Sequence, residues 1–390
     1  MEISSRRDAI AAARPVLRSH YTPVLTGPAS GLWLVLLGYN PMNAQSSFEL
    51  QAPRKCVNDF QDAKRSVLEF YRELDAAPIS ALSRTLSRHT APGYRFRGVH
   101  PINELTGSEV VADRVWAPLR RALTPLQRRQ DIFMAGASEI DGQVWVCSMG
   151  HFLGLFDAEW LGIPPTGKLA YLRYAEFHRL ASGLIAETAF FCDIISLMKQ
   201  AGLAPLPLQT GAELMTPGPR THDGLLFDRQ DPGEAQRTLS LVNAMRGGLF
   251  KEDAAGPEEV LARTWNSDML WYGPSGIGAT YTIGRYQQQH QGPFLSGLAE
   301  IQRNGHVSRF AEGHYASWFG WPNLTMTSMG GFLGLPGSDK RLHMRVVDVY
   351  RREGERLAEN WIFIDLLYWM MQQNVDVLDR MRSIVGPHTR

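Results

Sequence analysis

Residues Ser148–Phe156 read SMGHFLGLF, and residues Ser328–Pro336 read SMGGFLGLP. Seven of the nine letters agree at an offset of 180, and His151 gives way to Gly331. Further along the offset is 172, where Arg173 meets Arg345, Glu187 meets Glu359 and Asp193 meets Asp365. Taken together, the two offsets imply one unit written twice, the second copy shorter by eight residues within DAEWLGIPPTGK, Asp157–Lys168. Upstream, Trp116-Ala117-Pro118-Leu119 resembles Gly292-Pro293-Phe294-Leu295. Two copies are fewer than a solenoid needs, so two domains are expected, at residues 56–202 and 233–385. Between them, residues 203–232 are dense in proline and glycine, which break regular elements, and read as a linker. Residues 1–55 read as an N-terminal extension.

Each copy presents helices first. Ala63, Val67, Phe70, Tyr71 and Leu74 fall at helical spacing in QDAKRSVLEFYRELDA, and AQRTLSLVNAM, Ala235–Met245, is the counterpart in the second copy. A second helical stretch is expected near Ser108–Leu123 and near Tyr281–Ile301. Short β-rich runs follow, punctuated by Asp141-Gly142, Ser182-Gly183 and Glu353-Gly354. Helices followed by antiparallel strands indicate an α+β fold, with a curved sheet wrapped around helices.

The last two strands of each copy carry the chemistry. With a turn at Ser182-Gly183 and straight pairing, Glu176 faces Ala189 and Tyr174 faces Phe191. One side of the hairpin then holds Tyr174, Glu176, His178, Glu187, Phe191 and Asp193. The same register in the second copy gathers Val346, Asp348, Tyr350, Glu359, Trp361, Phe363 and Asp365, and leaves Arg173 and Arg345 on the opposite side; a slip of one residue would bring the arginines in. An aspartate inside an apolar strand has two readings. Desolvation can raise its pKa toward neutrality and make it an acid/base group, or helix N-termini and arginine can hold it as a charged structural acceptor.

Composition excludes several classes. Lys+Arg total 40 against 39 Asp+Glu, so no overall field draws in nucleic acid or an anionic membrane. Three widely spaced cysteines, Cys56, Cys147 and Cys192, argue against a disulfide framework and for a reducing, cytoplasmic setting. The apolar run GLWLVLLGY, Gly31–Tyr39, is too short to span a membrane but resembles a weak signal-peptide core. Nucleotide-loop, serine-elbow and zinc-helix motifs are missing, so neither cofactor nor metal is expected.

The segment GHFLGLFDAEWLGIPPTGKLAYLRYAEFHRLASGLIAETAFFCDIISLMKQAG resembles the C-terminal half of the SnoaL-like polyketide cyclase family, within the NTF2-like superfamily. The resemblance rests on Gly150, His151 and Gly154; on Gly162-Ile163-Pro164-Pro165-Thr166-Gly167-Lys168; and on Gly183, Ile185, Glu187, Asp193, Gln200 and Gly202. The second copy keeps Gly354, Glu359, Trp361, Asp365 and Gln372, but neither the histidine nor an IPPTGK loop. The resemblance implies two cone-shaped NTF2-like domains with a ligand cavity inside each. It implies that Asp193, and by extension Asp365, is the acid/base aspartate of an intramolecular aldol ring closure. Ala189 and Glu176 depart from the tryptophan and histidine frequent in that family. The function implied is cofactor-independent proton transfer on a small hydrophobic carbonyl compound, by a monomer or homodimer. Asp193, Asp365 and His151 are then catalytic, and Tyr174, Glu176, His178, Phe191, Asp348, Tyr350, Trp361 and Phe363 contact the substrate. Two alternatives stay open: a binding protein for a small hydrophobic ligand, and an epoxide-hydrolase-like enzyme using Glu176, Asp193 and Arg173.

Overall fold

The structure, a computed structural model, describes residues 60–248 and 257–385. The expected extension, its GLWLVLLGY run and Cys56 lie outside the described residues.

The first half opens with α1, Gln61–Ala76, whose buried stripe of Val67, Phe70, Tyr71 and Leu74 is the one the periodicity picks out. Next come α2, Leu82–His89, and a hairpin of β1, Thr90–Gly98, and β2, Asn103–Thr106. A broken helix follows: α3, Ser108–Val111, a π turn at Ala112–Trp116, and α4, Ala117–Ala122. Long strands β3, Leu123–Ala137, β4, Val144–Phe156, β5, Leu169–Ala181, and β6, Leu184–Cys192, lead to α5, Ile194–Gln200. The sheet order is β2-β1-β6-β5-β4-β3.

The second half repeats this order with α6, Pro232–Gly248, α7, Pro257–Ala262, β7, Trp265–Tyr272, and β8, Ala279–Tyr281. Its broken helix is α8, Ile283–Tyr286, a π turn at Gln287–Gln291, and α9, Gly292–Gly297. The strands are β9, Leu298–Arg303, β10, Ser308–Glu312, β11, Tyr315–Phe319, β12, Leu324–Ser328, β13, Arg341–Met344, β14, Val346–Glu353, and β15, Arg356–Ile364. Helices α10, Leu366–Met371, and α11, Val377–Val385, close the half. The strands form two sheets, β10-β11-β14-β15-β7-β8 and β13-β12-β9. Both halves are α+β units in which helices precede a mixed sheet.

Two expectations need correction. The sheets are not wholly antiparallel, because β1 pairs in parallel with β6 and β7 with β15. Pro92-Gly93 disguises β1 as a turn; Gly93, at φ +74°, lies where the pairing slips between Thr90 and Arg95.

The second correction concerns the phase of the repeat. SMGHFLGLF lies inside β4, whereas SMGGFLGLP leaves β12 at Ser328 and enters a short 3-10 turn at Phe332–Gly334. Strand pairing equates Phe152, opposite Leu172, with Leu324, opposite Met344, an offset of 172. At that offset WLGIPPTGK, Trp160–Lys168, matches FLGLPGSDK, Phe332–Lys340. Leu161 and Leu333 both take the left-handed conformation, at φ 56° and 55°, and Gly162 and Gly334 follow at 85° and 68°. A leucine at positive φ is uncommon enough that its recurrence fixes the alignment. The second half therefore keeps a form of the loop, and the nine-letter likeness is out of phase.

The halves pack sheet against sheet. Phe177, Trp145 and Phe191 of the first half meet Phe319 at ring-centroid distances of 4.9, 5.3 and 6.4 Å. Residues 203–232 are irregular but tied down. Leu226 N–H donates to the Phe133 carbonyl, Trp361 Nε1 to the Pro217 carbonyl, and Ala212 bridges Ala279.

Asp193 and Asp365 cap α5 and α10, accepting from the backbone of Ser196 and Tyr368 at 3.1 Å each. Each also reaches into the other half. Asp193 accepts from Ser275 N–H at 2.8 Å, and Asp365 from His100 N–H at 3.0 Å. Arg173 donates to the Gly273, Tyr272 and Ile362 carbonyls, and Arg345 to Asn103 Oδ1 and Asp365 Oδ2. Replacing Asp365 by alanine removes a cap and strands the Arg345 cation, and should cost about 3–5 kcal/mol. Asp365→Asn, which keeps an acceptor, should cost less. Urea unfolding followed by tryptophan fluorescence measures both, and equal costs would show that a neutral acceptor recovers nothing and that the carboxylate's charge carries the whole effect.

Candidate functional site

Side-chain direction in the last hairpins decides which residues can meet. In β5–β6 the pairing runs Leu180–Ile185 and then Arg179–Glu187, leaving Ala186 as an extra residue. In β14–β15 it runs Arg352–Leu357 and then Arg351–Glu359, leaving Ala358. One inserted residue reverses the side on which everything beyond it points. Glu176 therefore lies opposite Phe190, not Ala189, and Tyr174 opposite Cys192, not Phe191.

The straight register mixed two faces. The inward face of the first half carries Tyr174, Glu176 and His178; that of the second carries Val346, Asp348 and Tyr350. Phe191, Asp193, Trp361, Phe363 and Asp365 point the other way, with Arg173. Phe191 packs on Trp321 at 5.7 Å, Trp361 stacks on Tyr272 at 5.5 Å, and Phe363 lies 4.1 Å beneath the Arg173 guanidinium. His151 also points outward, 3.3 Å from Asp131. Burial raises the Asp193 and Asp365 pKa values, while the neighbouring arginines and backbone donors pull them down. Glu176 and Asp193 lie on opposite sides of the sheet, so the set Glu176, Asp193 and Arg173 is not assembled.

Inside the first half, Arg128 from β3 occupies the centre. It pairs with Glu176, reaches Asp75 Oδ2 at 3.1 Å, and lies 3.8 Å over the Tyr71 ring. His178 is bracketed by Tyr71 Oη at 2.7 Å and Thr188 Oγ1 at 2.9 Å, and burial pushes its pKa down to about 3. Tyr174 stacks on Phe152 at 4.5 Å and shares a hydrogen bond with Ser148. These side chains occupy the interior and largely pair with one another, while Glu176 Oε1 is left buried without a hydrogen-bond partner.

The second half differs at the same place. The strands equivalent to β3, β4 and β5 are each interrupted, between Arg303 and Ser308, Phe319 and Leu324, and Met344 and Val346. Arg303, the counterpart of Arg128, turns instead to the Arg246 carbonyl at 3.1 Å. Where the strands break lies a cavity of about 150 Å³, lined among others by Trp265, Trp271, Trp318, Tyr286, Phe294 and Ile362. Asp348, the counterpart of Glu176, sits on its wall.

Asp348 is buried, and Asn360 Nδ2 donates to its Oδ1 at 2.9 Å. Desolvation pushes its pKa up to about 8, against the opposing pull of Asn360, Tyr350 and Arg246. Burial also raises Tyr350 and Tyr286, so both phenols keep their protons. His290 and His306 are driven down to about 3 and about 2 and stay neutral. Such a wall can shuttle a proton at neutral pH. Among the described residues no three His, Cys, Asp or Glu side chains stand together to hold a metal, and no helix is long and apolar enough to cross a membrane.

No family model matches the chain, and neither does any curated protein. The solved structures it resembles are SnoaL-like polyketide cyclases and NTF2-like proteins. A candidate SnoaL-like polyketide cyclase from Jannaschia sp. CCS1 is 21% identical, matched over 38% of this chain and 95% of its own, with a TM-score of 0.29. An NTF2-like protein from Burkholderia xenovorans LB400 is 14% identical over 35% of this chain and 95% of its own, with a TM-score of 0.28. TsrD from Streptomyces laurentii is 20% identical over 36% and 97%, with a TM-score of 0.30.

The sequence placed Asp348 among the substrate contacts but gave the acid/base role to the helix-capping aspartates, and it missed Asn360. The signal that could have found the pair is a carboxamide diagonally across the hairpin from the acid, opposite Tyr350, once the bulge at Ala358 is placed. In the first half, Arg128→Met alone should cost about 3–5 kcal/mol, because it leaves Glu176 buried and unpaired. The double variant Arg128→Met with Glu176→Gln should recover much of that loss in denaturant melts. A strictly additive double variant would show the pair is not coupled.

Proposed function

We propose that the protein is a cofactor-independent acid/base enzyme that binds a small hydrophobic carbonyl compound in the second-half cavity. Asp348, rather than Asp193 or Asp365, moves the proton. As a carboxylate it takes a proton from carbon next to the carbonyl; it then returns that proton to another carbon, or the carbanion adds to a second carbonyl of the same ligand and the alkoxide so formed takes the proton back. Tyr350 or Tyr286 donates a hydrogen bond to the oxygen as negative charge builds there. The observation that carries this reading is a carboxyl held near neutrality in an aromatic cavity. A base whose pKa lies near the working pH is most effective, since it is both available and strong enough. The first half, its interior closed by Arg128, supports the second through the shared interface. We also infer a tandem duplication, supported by the shared element order, the paired π turns and the matching left-handed leucines.

The carboxyl should titrate near pH 8, read by carbon-detected NMR with Asp348→Asn for assignment. A midpoint at the ordinary ~3.9 would sink the proposal. Deuterium exchange at carbon in cyclohex-2-enone and related ketones should fall about 100-fold or more in Asp348→Asn. A bound ketone that shows no catalysed exchange would favour the binding-protein reading instead.

Stability supplies a separate check. The folded pKa lies above the unfolded value, so folding takes up a proton between the two. Stability should fall as pH rises from ~4 toward 8, by up to about 1.4 kcal/mol per unit. Asp348→Asn should flatten that slope in melting temperatures measured across pH 4–9, and an unchanged slope would assign the pH dependence to other groups.

A further inference from the structure

We infer that the ligand of this cavity is a single flat ring bearing a hydroxyl or carbonyl oxygen, bound through His290 and, secondarily, Trp318. The inference rests on reading the second-half cavity as a ligand site and names the class of ligand it takes.

Shape and size come first. A cavity near 150 Å³ holds about one six-membered ring. Two stacked aromatic pairs stand in its wall: His290 on Trp271, 4.0 Å apart and 20° from parallel, and His306 on Trp318, 4.1 Å apart and 10° from parallel. Aromatic walls favour a ring that lies against them over a branched aliphatic group.

Polarity comes second. His290 is 8% exposed and its Nδ1 is buried without a hydrogen-bond partner. Its imidazole is neutral, with one nitrogen donating and the other accepting, so leaving a nitrogen bare inside the fold is costly. His178, equally buried in the first half, has both nitrogens paired, which shows what this chain does with a purely structural histidine. Trp318 Nε1, on another part of the wall, is also buried and unpaired. It is less telling, because Trp116, Trp145 and Trp369 share that state. An indole N–H only donates, whereas a neutral imidazole nitrogen does either. A hydroxyl or carbonyl oxygen is the simplest group that can answer both.

The test compares p-cresol with toluene, which match in shape and differ by one oxygen. Binding to the intact chain is measured at pH 6 by ligand-observed NMR titration. p-Cresol should bind about tenfold more tightly than toluene, the worth of one good hydrogen bond. His290→Phe keeps a ring against Trp271 and should bring p-cresol down to the toluene level while toluene changes little. Trp318→Phe, made in case the first variant is misfolded, should lower p-cresol affinity selectively but less. Equal affinities for the two probes, an equal loss of both in His290→Phe, or no binding of either would overturn the inference; the first outcome means that water alone meets His290. The Asp348 titration judges the acid/base reading separately. A midpoint near 4 with p-cresol selectivity intact removes catalysis and keeps the ligand class. A midpoint near 8 without selectivity does the reverse.

Discussion

Each half of this protein sends one buried aspartate and one buried arginine across to the other, and the rest of the architecture depends on that exchange. Asp193 and Asp365 cap a helix of their own half and accept from Ser275 and His100 N–H across the interface, while Arg173 donates to backbone carbonyls of the other half and Arg345 to the Asn103 side chain. These are costly groups to bury. Their partners across the interface, peptide groups and the Asn103 side chain, hold fixed positions, so the halves can dock in one arrangement. Apolar stacking around Phe319 supplies area, and the charged groups supply direction.

With that face committed to assembly, the two halves differ most on the inward faces of their sheets. The halves use their interiors in opposite ways. Unbroken strands in the first half carry Arg128 inward, where it neutralises Glu176 and fills the space. In the second half the equivalent strands are interrupted, Arg303 turns aside, and the acid is the shorter Asp348. A carboxyl that would have been a salt-bridge partner becomes a desolvated group beside an open volume. One half thus fills its interior and the other keeps an open volume.

Much of the fold was legible in the residues. The stripe of α1, the hairpin turns at Asp141-Gly142 and Ser182-Gly183, and the two-part α+β plan all follow from periodicity and turn chemistry. The parallel strands were hidden, because Pro92-Gly93 in β1 and Asn266-Ser267-Asp268 in β7 look like loops until a neighbouring strand holds them. The repeat was visible but misphased. A nine-letter likeness outweighed a diffuse one at the offset of 172, and no letter records that Leu161 and Leu333 share a left-handed backbone.

By itself the sequence determined two similar α+β units, an irregular joint between them, and an aspartate within the closing apolar segment of each. Those properties are local, set by side-chain spacing and by the conformations that proline and glycine allow or forbid. Which side of the sheet each acid faces was settled only by the tertiary structure. That choice turns on single bulges at Ala186 and Ala358, and a bulge depends on the strand alongside and the core beneath. The same is true of the cavity, since an interior is filled or left open by what several distant strands deliver to one point.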